Sequence, residues 1–131
     1  MTDLLFVYGT LMRGYDHPMA RLLSAHADFV SAATCRGRLY LIKHYPGLLL
    51  SDDTADIVHG DLYRLTQPEA LLRELDMYEA CGEGFAAPTE YLREITPITT
   101  DDGTTLDAWT YIYNWPVTSL LRIASGKFAE A

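Results

Sequence analysis

Cysteine and long apolar runs are both scarce in this chain of 131 residues. Its two cysteines, Cys35 and Cys81, are too few for a disulfide framework and lack CxxC spacing, so a reducing, cytoplasmic location is expected. Apolar runs such as residues 47–50 are far shorter than the ~20 residues that span a bilayer. The first residues also lack a basic segment followed by a long apolar stretch. We therefore expect neither membrane insertion nor a secretion signal.

Basic residues are scarce as well. Lys and Arg total 10 against 18 Asp and Glu, which gives a net charge of −8. A protein that binds nucleic acid normally carries a basic stripe that neutralises phosphates, so DNA, RNA and anionic membranes are not expected partners. With 49% hydrophobic and 21% charged residues, the chain is expected to fold. Its length and the lack of repeats or linkers predict one domain over residues 1–131.

Residue patterns predict a mixed α/β (α+β) fold with about six strands and two or three helices. An apolar run at residues 4–8 that stops at Gly9 is typical of a buried strand, and residues 18–27 have helical spacing after Asp16 and Pro18. Further strands are predicted at residues 38–42, 47–50, 57–65, 91–98 and 106–113, the last two joined as a hairpin at residues 101–103, and a short helix at residues 120–124, ended by Gly126.

Glu79 is the most informative single residue. Thr66 and Glu69 form a capping-box pattern that predicts the start of a helix. At about 100° per residue, this helix would place Glu79 on the same apolar stripe as Leu75. A carboxyl group on an apolar face has a raised pKa and can act as a proton shuttle near neutral pH. The alternative is a helix that ends near Asp76, with Glu79 exposed to water beyond it.

The loop Tyr8-Gly9-Thr10-Leu11 follows the first predicted strand directly. A glycine at this point lets the backbone turn sharply and present successive N–H groups to a carboxylate or a developing oxyanion. The alternative is an ordinary turn, since the phosphate-loop pattern GxxxxGK[ST] is absent. The pattern GxGxxA at residues 82–87 follows a predicted helix rather than a strand, which argues against a dinucleotide site.

Aromatic residues alternate along the last predicted strand, at Trp109, Tyr111 and Tyr113. This set could line a cavity or pack a barrel interior, and packing is the commoner use of aromatics in sheets. The four histidines show neither HxxxH nor HxH spacing, so no metal site is expected. Cys81 could be a nucleophile activated by a distant histidine, but a free cysteine is more often inert packing.

Short blocks spread along the chain, taken in order, resemble the gamma-glutamylcyclotransferase-like proteins. The resemblance is greatest to the small bacterial members and to the gamma-glutamylamine cyclotransferases, and it extends from about residue 4 to the C-terminal region. The blocks are FVYGTL at residues 6–11, YPG at 45–47, VHGDLY at 58–63, LDMYE at 75–79, YLR at 91–93 and AWTYIY at 108–113.

The resemblance implies a small mixed β-barrel flanked by helices, with a substrate cavity on the barrel. It implies that Glu79 is the catalytic general acid and base, and that the loop of residues 8–11 binds the glutamyl head group. Tyr91 and Arg93 would lie near the site, although a purely structural pair is an equal alternative because an alternating strand sends both to one face. Tyr113 would add a phenolic hydrogen bond.

The implied reaction is an intramolecular aminolysis that converts a γ-glutamyl amine or peptide to 5-oxoproline and a free amine. It requires no cofactor, because both reacting groups belong to one molecule. The expected partner is this small-molecule substrate, and the protein is expected to be a monomer or a weak homodimer. Two other hypotheses remain open: a non-catalytic binder of small carboxylated metabolites that uses the same cavity, and the trimming of a γ-glutamyl-protected secondary metabolite.

Overall fold

The structure is a computed structural model that describes residues 2–9, 11–12, 17–79 and 88–128. Those ranges contain two α-helices and seven β-strands. In chain order the elements are β1 (Leu4–Val7), α1 (Pro18–His26), β2 (Ala27–Leu41), β3 (Pro46–Leu50), β4 (Ile57–Leu65), α2 (Pro68–Tyr78), β5 (Tyr91–Thr100), β6 (Thr105–Tyr113) and β7 (Leu121–Ile123). Across the described ranges, no helix has the length and apolar character needed to cross a membrane.

Five strands close into a barrel. They pair in the order β2, β4, β1, β6 and β5, and the ring closes because the end of β5 pairs with β2 through Thr99 and Thr100. Among the described strands, β1 and β6 run parallel and the other pairs are antiparallel. β3 and β7 extend the sheet by pairing with the C-terminal part of β2. The predicted mixed barrel flanked by helices is thereby confirmed.

The alternation of side chains along β1 divides the core into two layers. Leu4, Phe6 and Tyr8 belong to a cluster that draws on the strands and contains no helical residue, which is the barrel interior. Leu5 and Val7 point the other way, into a second cluster that includes the buried leucines of both helices. A single strand thus joins the barrel core to the layer under α1 and α2.

The aromatic row of β6 belongs to the second layer. Tyr111 and Tyr113 pack in this second cluster, the helix-facing cluster, with Trp109 at its border. Ala108 and Ile112 fill the barrel interior. The alternation was therefore a correct indication of two faces. The larger side chains of β6 thus lie outside the barrel, on the side of the helices.

Several predicted elements are confirmed. α1 begins at Pro18, as expected from a proline at the first helical position, and its N-cap is His17. β4 covers residues 57–65 as predicted, and β5 and β6 form the predicted hairpin, with Gly103 at a positive φ of 88° in the turn. Asp16, the other predicted start signal, lies outside the described residues.

Three expectations about local structure were wrong. The Thr66 hydroxyl does not cap α2 but donates to the His26 carbonyl oxygen at 2.8 Å, and the N-cap is Gln67, which makes no side-chain capping bond. The predicted helix at residues 120–124 is the strand β7, because pairing with β2 decides the conformation of a short apolar run that periodicity leaves ambiguous. β2 begins at Ala27 rather than at residue 38, since pairing with β4 overrides the weak strand preference of its small residues.

Candidate active site

The turn after β1 passes close to the start of β3. The carbonyl oxygen of Gly9 accepts a hydrogen bond from the Met12 N–H at 3.0 Å. A Cβ atom at position 9 would lie 2.8 Å from Pro46 Cγ, closer than side chains normally pack. Glycine is therefore required where the two segments meet. Thr10, a predicted substrate-binding residue, lies outside the described residues.

Glu79 is the first residue after α2. Its N–H donates to the Leu75 carbonyl oxygen at 2.9 Å, so the backbone keeps helical hydrogen bonding up to this position. Leu71, Leu72 and Leu75 are buried in the helix-facing cluster and anchor α2 by about 1.5–3 kcal/mol each. Glu79 consequently follows Leu75 on the side of the helix that faces the barrel, which is the first of the two alternatives that the sequence left open, although the helix itself ends at Tyr78.

A cavity of about 260 Å³ opens between the end of α2 and the end of β1. Aromatic rings form much of its wall, and two glutamates contribute carboxyl groups. The predicted residues Glu79, Tyr8, Gly9, Leu11 and Tyr91 all contribute to it. Its lining in the described residues consists of Phe6, Val7, Tyr8, Gly9, Leu11, His44, Tyr45, Pro46, Tyr78, Glu79, Glu90, Tyr91 and Tyr111.

The Glu79 carboxyl group is accessible from the cavity but withdrawn from bulk water. Burial is the largest influence on it and, together with the negative charges of Glu90 and Asp76, raises its pKa to about 7. All three influences disfavour the charged form. A carboxyl group with such a pKa is partly protonated at neutral pH and can both accept and return a proton.

Two of the predicted tyrosines contribute ring surface while their hydroxyl groups hold the backbone. Tyr8 donates to the Tyr111 carbonyl oxygen at 2.6 Å and accepts from the Leu48 N–H at 3.3 Å. Tyr91 donates to the Pro46 carbonyl oxygen at 2.7 Å. Burial raises the pKa of both phenols, so they remain neutral donors in these bonds. The two side chains therefore fix the positions of β3 and β6 around the cavity.

Glu90 is a cavity residue that the sequence reasoning missed. Its Oε2 atom accepts a hydrogen bond from the Tyr45 hydroxyl at 2.6 Å, and its carbonyl oxygen accepts from the Asn114 N–H at 2.7 Å. Burial, followed by the hydrogen bond to Glu90 and then by its charge, raises the pKa of the Tyr45 phenol, which therefore stays protonated and donates. Glu90 immediately precedes a predicted strand, and no periodicity could place its side chain beside Glu79.

Arg93 lies in an ion pair beside the cavity and is not part of its lining. Its Nε and Nη2 atoms donate to the two carboxylate oxygens of Asp76 at 2.7 and 3.0 Å. The Tyr111 hydroxyl also donates to Asp76, at 2.7 Å, and the Arg93 guanidinium group stacks 4.2 Å from the centre of the Trp109 ring. Asp76 thus ties the end of α2 to β5 and β6, and so positions Glu79 three residues later.

Tyr113 packs one layer behind the cavity. The Tyr113 ring meets the Tyr91 ring edge-on, with centroids 5.4 Å apart. The backbone of Gly47 is so close that a Cβ atom there would lie 2.8 Å from the Cβ of Tyr113. Its expected contact with substrate stays a prediction. In residues 2–9, 11–12, 17–79 and 88–128, no group of three or more His, Cys, Asp or Glu side chains converges as metal ligands do. Cys81 and the GxGxxA pattern lie outside those ranges.

Comparison with known proteins gives matches along almost the whole chain. The family described as "Gamma-glutamyl cyclotransferase, AIG2-like" matches residues 5–130. The chain is 36% identical over 130 residues to the gamma-glutamylcyclotransferase family protein YtfP of Escherichia coli strain K12, covering 96% of each protein.

Two solved structures show the same fold. The solution structure of YtfP from Escherichia coli is similar with a TM-score of 0.63 at 31% identity, covering 95% of this chain and 94% of that one. The crystal structure of an AIG2-like protein from Mus musculus is similar with a TM-score of 0.67 at 26% identity, covering 84% of this chain and 76% of that one.

Proposed function

Because the chain belongs to the AIG2-like gamma-glutamyl cyclotransferase family, we propose that it releases 5-oxoproline from a γ-glutamyl amine or a γ-glutamyl peptide. The observation that carries this proposal is the position of Glu79, which shares one cavity with Gly9 and Leu11 and has a pKa of about 7. The same carboxyl group can therefore take a proton from one nitrogen and return it to another.

The proposed reaction closes a ring within the substrate. The α-ammonium group gives a proton to the Glu79 carboxylate, and the neutral α-amine then attacks the γ-carbonyl carbon. A new C–N bond closes the five-membered lactam, the bond to the leaving nitrogen breaks, and Glu79 returns its proton to that nitrogen. The ring nitrogen also releases a second proton to water, and the departing amine takes up one proton from water to become an ammonium group. No cofactor enters this balance, because the nucleophile and the carbonyl group belong to one molecule.

The cavity supplies groups that suit a γ-glutamyl substrate. Its volume of about 260 Å³ lies just below the range of about 300–1,000 Å³ that drug-sized ligands occupy. The carboxyl groups of Glu79 and Glu90 match the positive α-ammonium group. In this proposal the backbone N–H groups of Gly9 and Leu11 bind the α-carboxylate or the tetrahedral oxyanion, and a well-placed donor contributes about 3 kcal/mol to such a transition state.

The test is a panel of γ-glutamyl amines and dipeptides incubated with the purified protein at several pH values, with 5-oxoproline detected by mass spectrometry. We expect release of 5-oxoproline from at least one compound, at a rate that falls about 10²–10⁴-fold in the isosteric variant Glu79→Gln. A protein that is stabilised against heat by these compounds, equally in both forms and without any product, would instead be a binder of carboxylated metabolites.

A further inference from the structure

Tyr78 lines the cavity but has no role in the proposed reaction. It is the last residue of α2, it precedes Glu79, and it contributes to the lining. Its hydroxyl oxygen lies 3.0 Å from Nε2 of His17, the N-cap residue of α1. The two rings meet edge-on, with their centroids 5.1 Å apart. One helix start therefore holds the end of the other helix through a single side-chain pair.

The hydrogen bonds of His17 determine which partner donates in that pair. The Met19 N–H donates to Nδ1 of His17 at 3.1 Å. A ring nitrogen that accepts a hydrogen bond carries no hydrogen, so the neutral imidazole has its hydrogen on Nε2. Nε2–H therefore donates to the Tyr78 oxygen. The hydroxyl hydrogen of Tyr78 takes no part in this bond. Because a lone pair of the Tyr78 oxygen accepts from His17, that hydrogen points away from the imidazole.

This arrangement differs from that of the other tyrosines of the cavity. In the described part of the lining there are five tyrosines, and four of them donate their hydroxyl hydrogen to a protein oxygen. These are Tyr8 to the Tyr111 carbonyl, Tyr45 to Glu90, Tyr91 to the Pro46 carbonyl, and Tyr111 to Asp76. Tyr78 accepts instead. Among the tyrosines of the described lining, Tyr78 is the one whose hydroxyl hydrogen is left for an external acceptor.

We propose that Tyr78 is a substrate-binding residue whose hydroxyl group donates a hydrogen bond to an oxygen of the γ-glutamyl substrate, and that His17 is the positioning residue that directs this hydroxyl group. The inference rests on the proposed function. A carbonyl or carboxylate oxygen is the acceptor that such a substrate brings. The cavity's own carboxylates would repel this oxygen, whereas the Tyr78 O–H group can donate to it.

The experiment is a steady-state comparison of Tyr78→Phe, His17→Asn and the double variant on a substrate that the wild type converts. Tyr78→Phe removes only the hydroxyl group, and we expect kcat/KM to fall about tenfold, the value of one uncharged hydrogen bond. A fall in kcat assigns the contact to the reacting carbonyl group, and a rise in KM assigns it to the α-carboxylate. Tyr40→Phe, the same change outside the cavity lining, is the control and should match the wild type.

His17→Asn separates positioning from helix capping. Asparagine is a strong N-cap residue, so α1 keeps its cap and Tm stays the same, but its side chain is too short to replace the bond from Nε2. We expect most of the Tyr78→Phe loss in this variant. In the Tyr78→Phe background, the same substitution should cost nothing further, because His17 acts through the missing hydroxyl group.

Three results would overturn the inference. Tyr78→Phe with kcat/KM within twofold of the wild type removes the substrate contact and leaves the proposed function intact. A His17→Asn loss that is equal in both backgrounds removes the positioning role. A wild-type protein that converts no compound of the panel defeats the proposed function itself, and the inference falls with it.

Discussion

Two carboxyl groups at different places on the barrel are largely covered by protein, and yet their pKa values are shifted in opposite directions. The Asp56 side chain is 8% exposed and accepts hydrogen bonds from Ser51, Arg38 and Arg122, at 2.7–2.8 Å. The hydrogen bond from Arg38 is the largest influence that holds its pKa below the usual range of a carboxyl group. The Glu79 carboxyl group faces the cavity among tyrosines and near two other acids, and its pKa is raised to about 7.

The difference shows that the partners of a covered carboxyl group, rather than its coverage alone, determine its role. The groups that cover Asp56 are arginines that themselves reach the solvent, with Arg38 47% and Arg122 42% exposed. They keep Asp56 ionised and fasten β7 to β2. Glu79 is covered by neutral rings, so its charge is costly and its proton is exchangeable. The first arrangement is structural, and the second suits proton transfer.

The largest expected effect is the loss of turnover in Glu79→Gln. General acid–base catalysis contributes about 10²–10⁴-fold, so we expect kcat/KM for 5-oxoproline release to fall by that factor. Tm should not decrease, because the substitution replaces a carboxyl group that is costly to ionise. A variant that loses both activity and Tm would mean that Glu79 stabilises the fold, and the contrast with Asp56 would no longer hold.

The second prediction concerns the pH dependence of the free energy of unfolding. The pKa of Glu79 rises from 4.5 to about 7 on folding, so the folded state binds more protons and stability falls as pH rises between these values. The total is on the order of 3 kcal/mol. Asp56 has the opposite sign, since its stabilisation is full above its ordinary pKa and is lost as pH falls below it.

Urea unfolding at a series of pH values measures both contributions. Glu79→Gln should abolish the fall in stability between about pH 4.5 and 7 and leave the loss in stronger acid unchanged. If the wild-type and Glu79→Gln curves run parallel across this interval, the proton affinity of Glu79 does not change on folding, and its proposed use as a proton shuttle loses its support.

The third prediction is the converse substitution, Asp56→Asn. Two arginines lose their charged partner, and β7 loses an anchor to β2, so we expect Tm to fall by several degrees. At a temperature where both proteins are folded, kcat/KM should equal that of the wild type, because Asp56 does not line the cavity. Unchanged Tm in a thermal scan would show that the arginines find other partners.

Residue patterns alone predicted the α+β content, whereas the barrel was implied by the family resemblance. Glu79 became a candidate because a helical period is local, although the period left an exposed position open and the resemblance favoured the catalytic one. The turn at Gly9 became a candidate because a glycine directly after an apolar run is a local pattern too. Glu90, Tyr45 and the pair of His17 with Tyr78 were not recognised. These residues come together through contacts between segments far apart in the chain, which no local pattern predicts.

The errors have the same origin. Thr66 has the residue type and spacing of a cap, but its hydroxyl group finds the His26 carbonyl oxygen of the other helix. Residues 121–123 could be helical or extended, and the free edge of β2 selects the strand. In each case a tertiary partner competes with the local preference and wins.

The smallest expected effect is a shift in the pH profile of Glu90→Gln. The negative charge of Glu90 raises the pKa of Glu79, so its removal lowers that pKa, and the carboxylate base then persists to lower pH. We expect the acidic limb of kcat/KM, which the pKa of about 7 for Glu79 predicts near that pH in the wild type, to move to lower pH. Tyr45→Phe is the matched control, because it removes the hydrogen bond to Glu90 and keeps the charge. If Tyr45→Phe moves the limb as far as Glu90→Gln does, the geometry of the pair rather than its charge governs Glu79. An acidic limb that stays in place in both variants would mean that the charge of Glu90 does not raise this pKa, and that Glu90 adds nothing to the difference between Glu79 and Asp56.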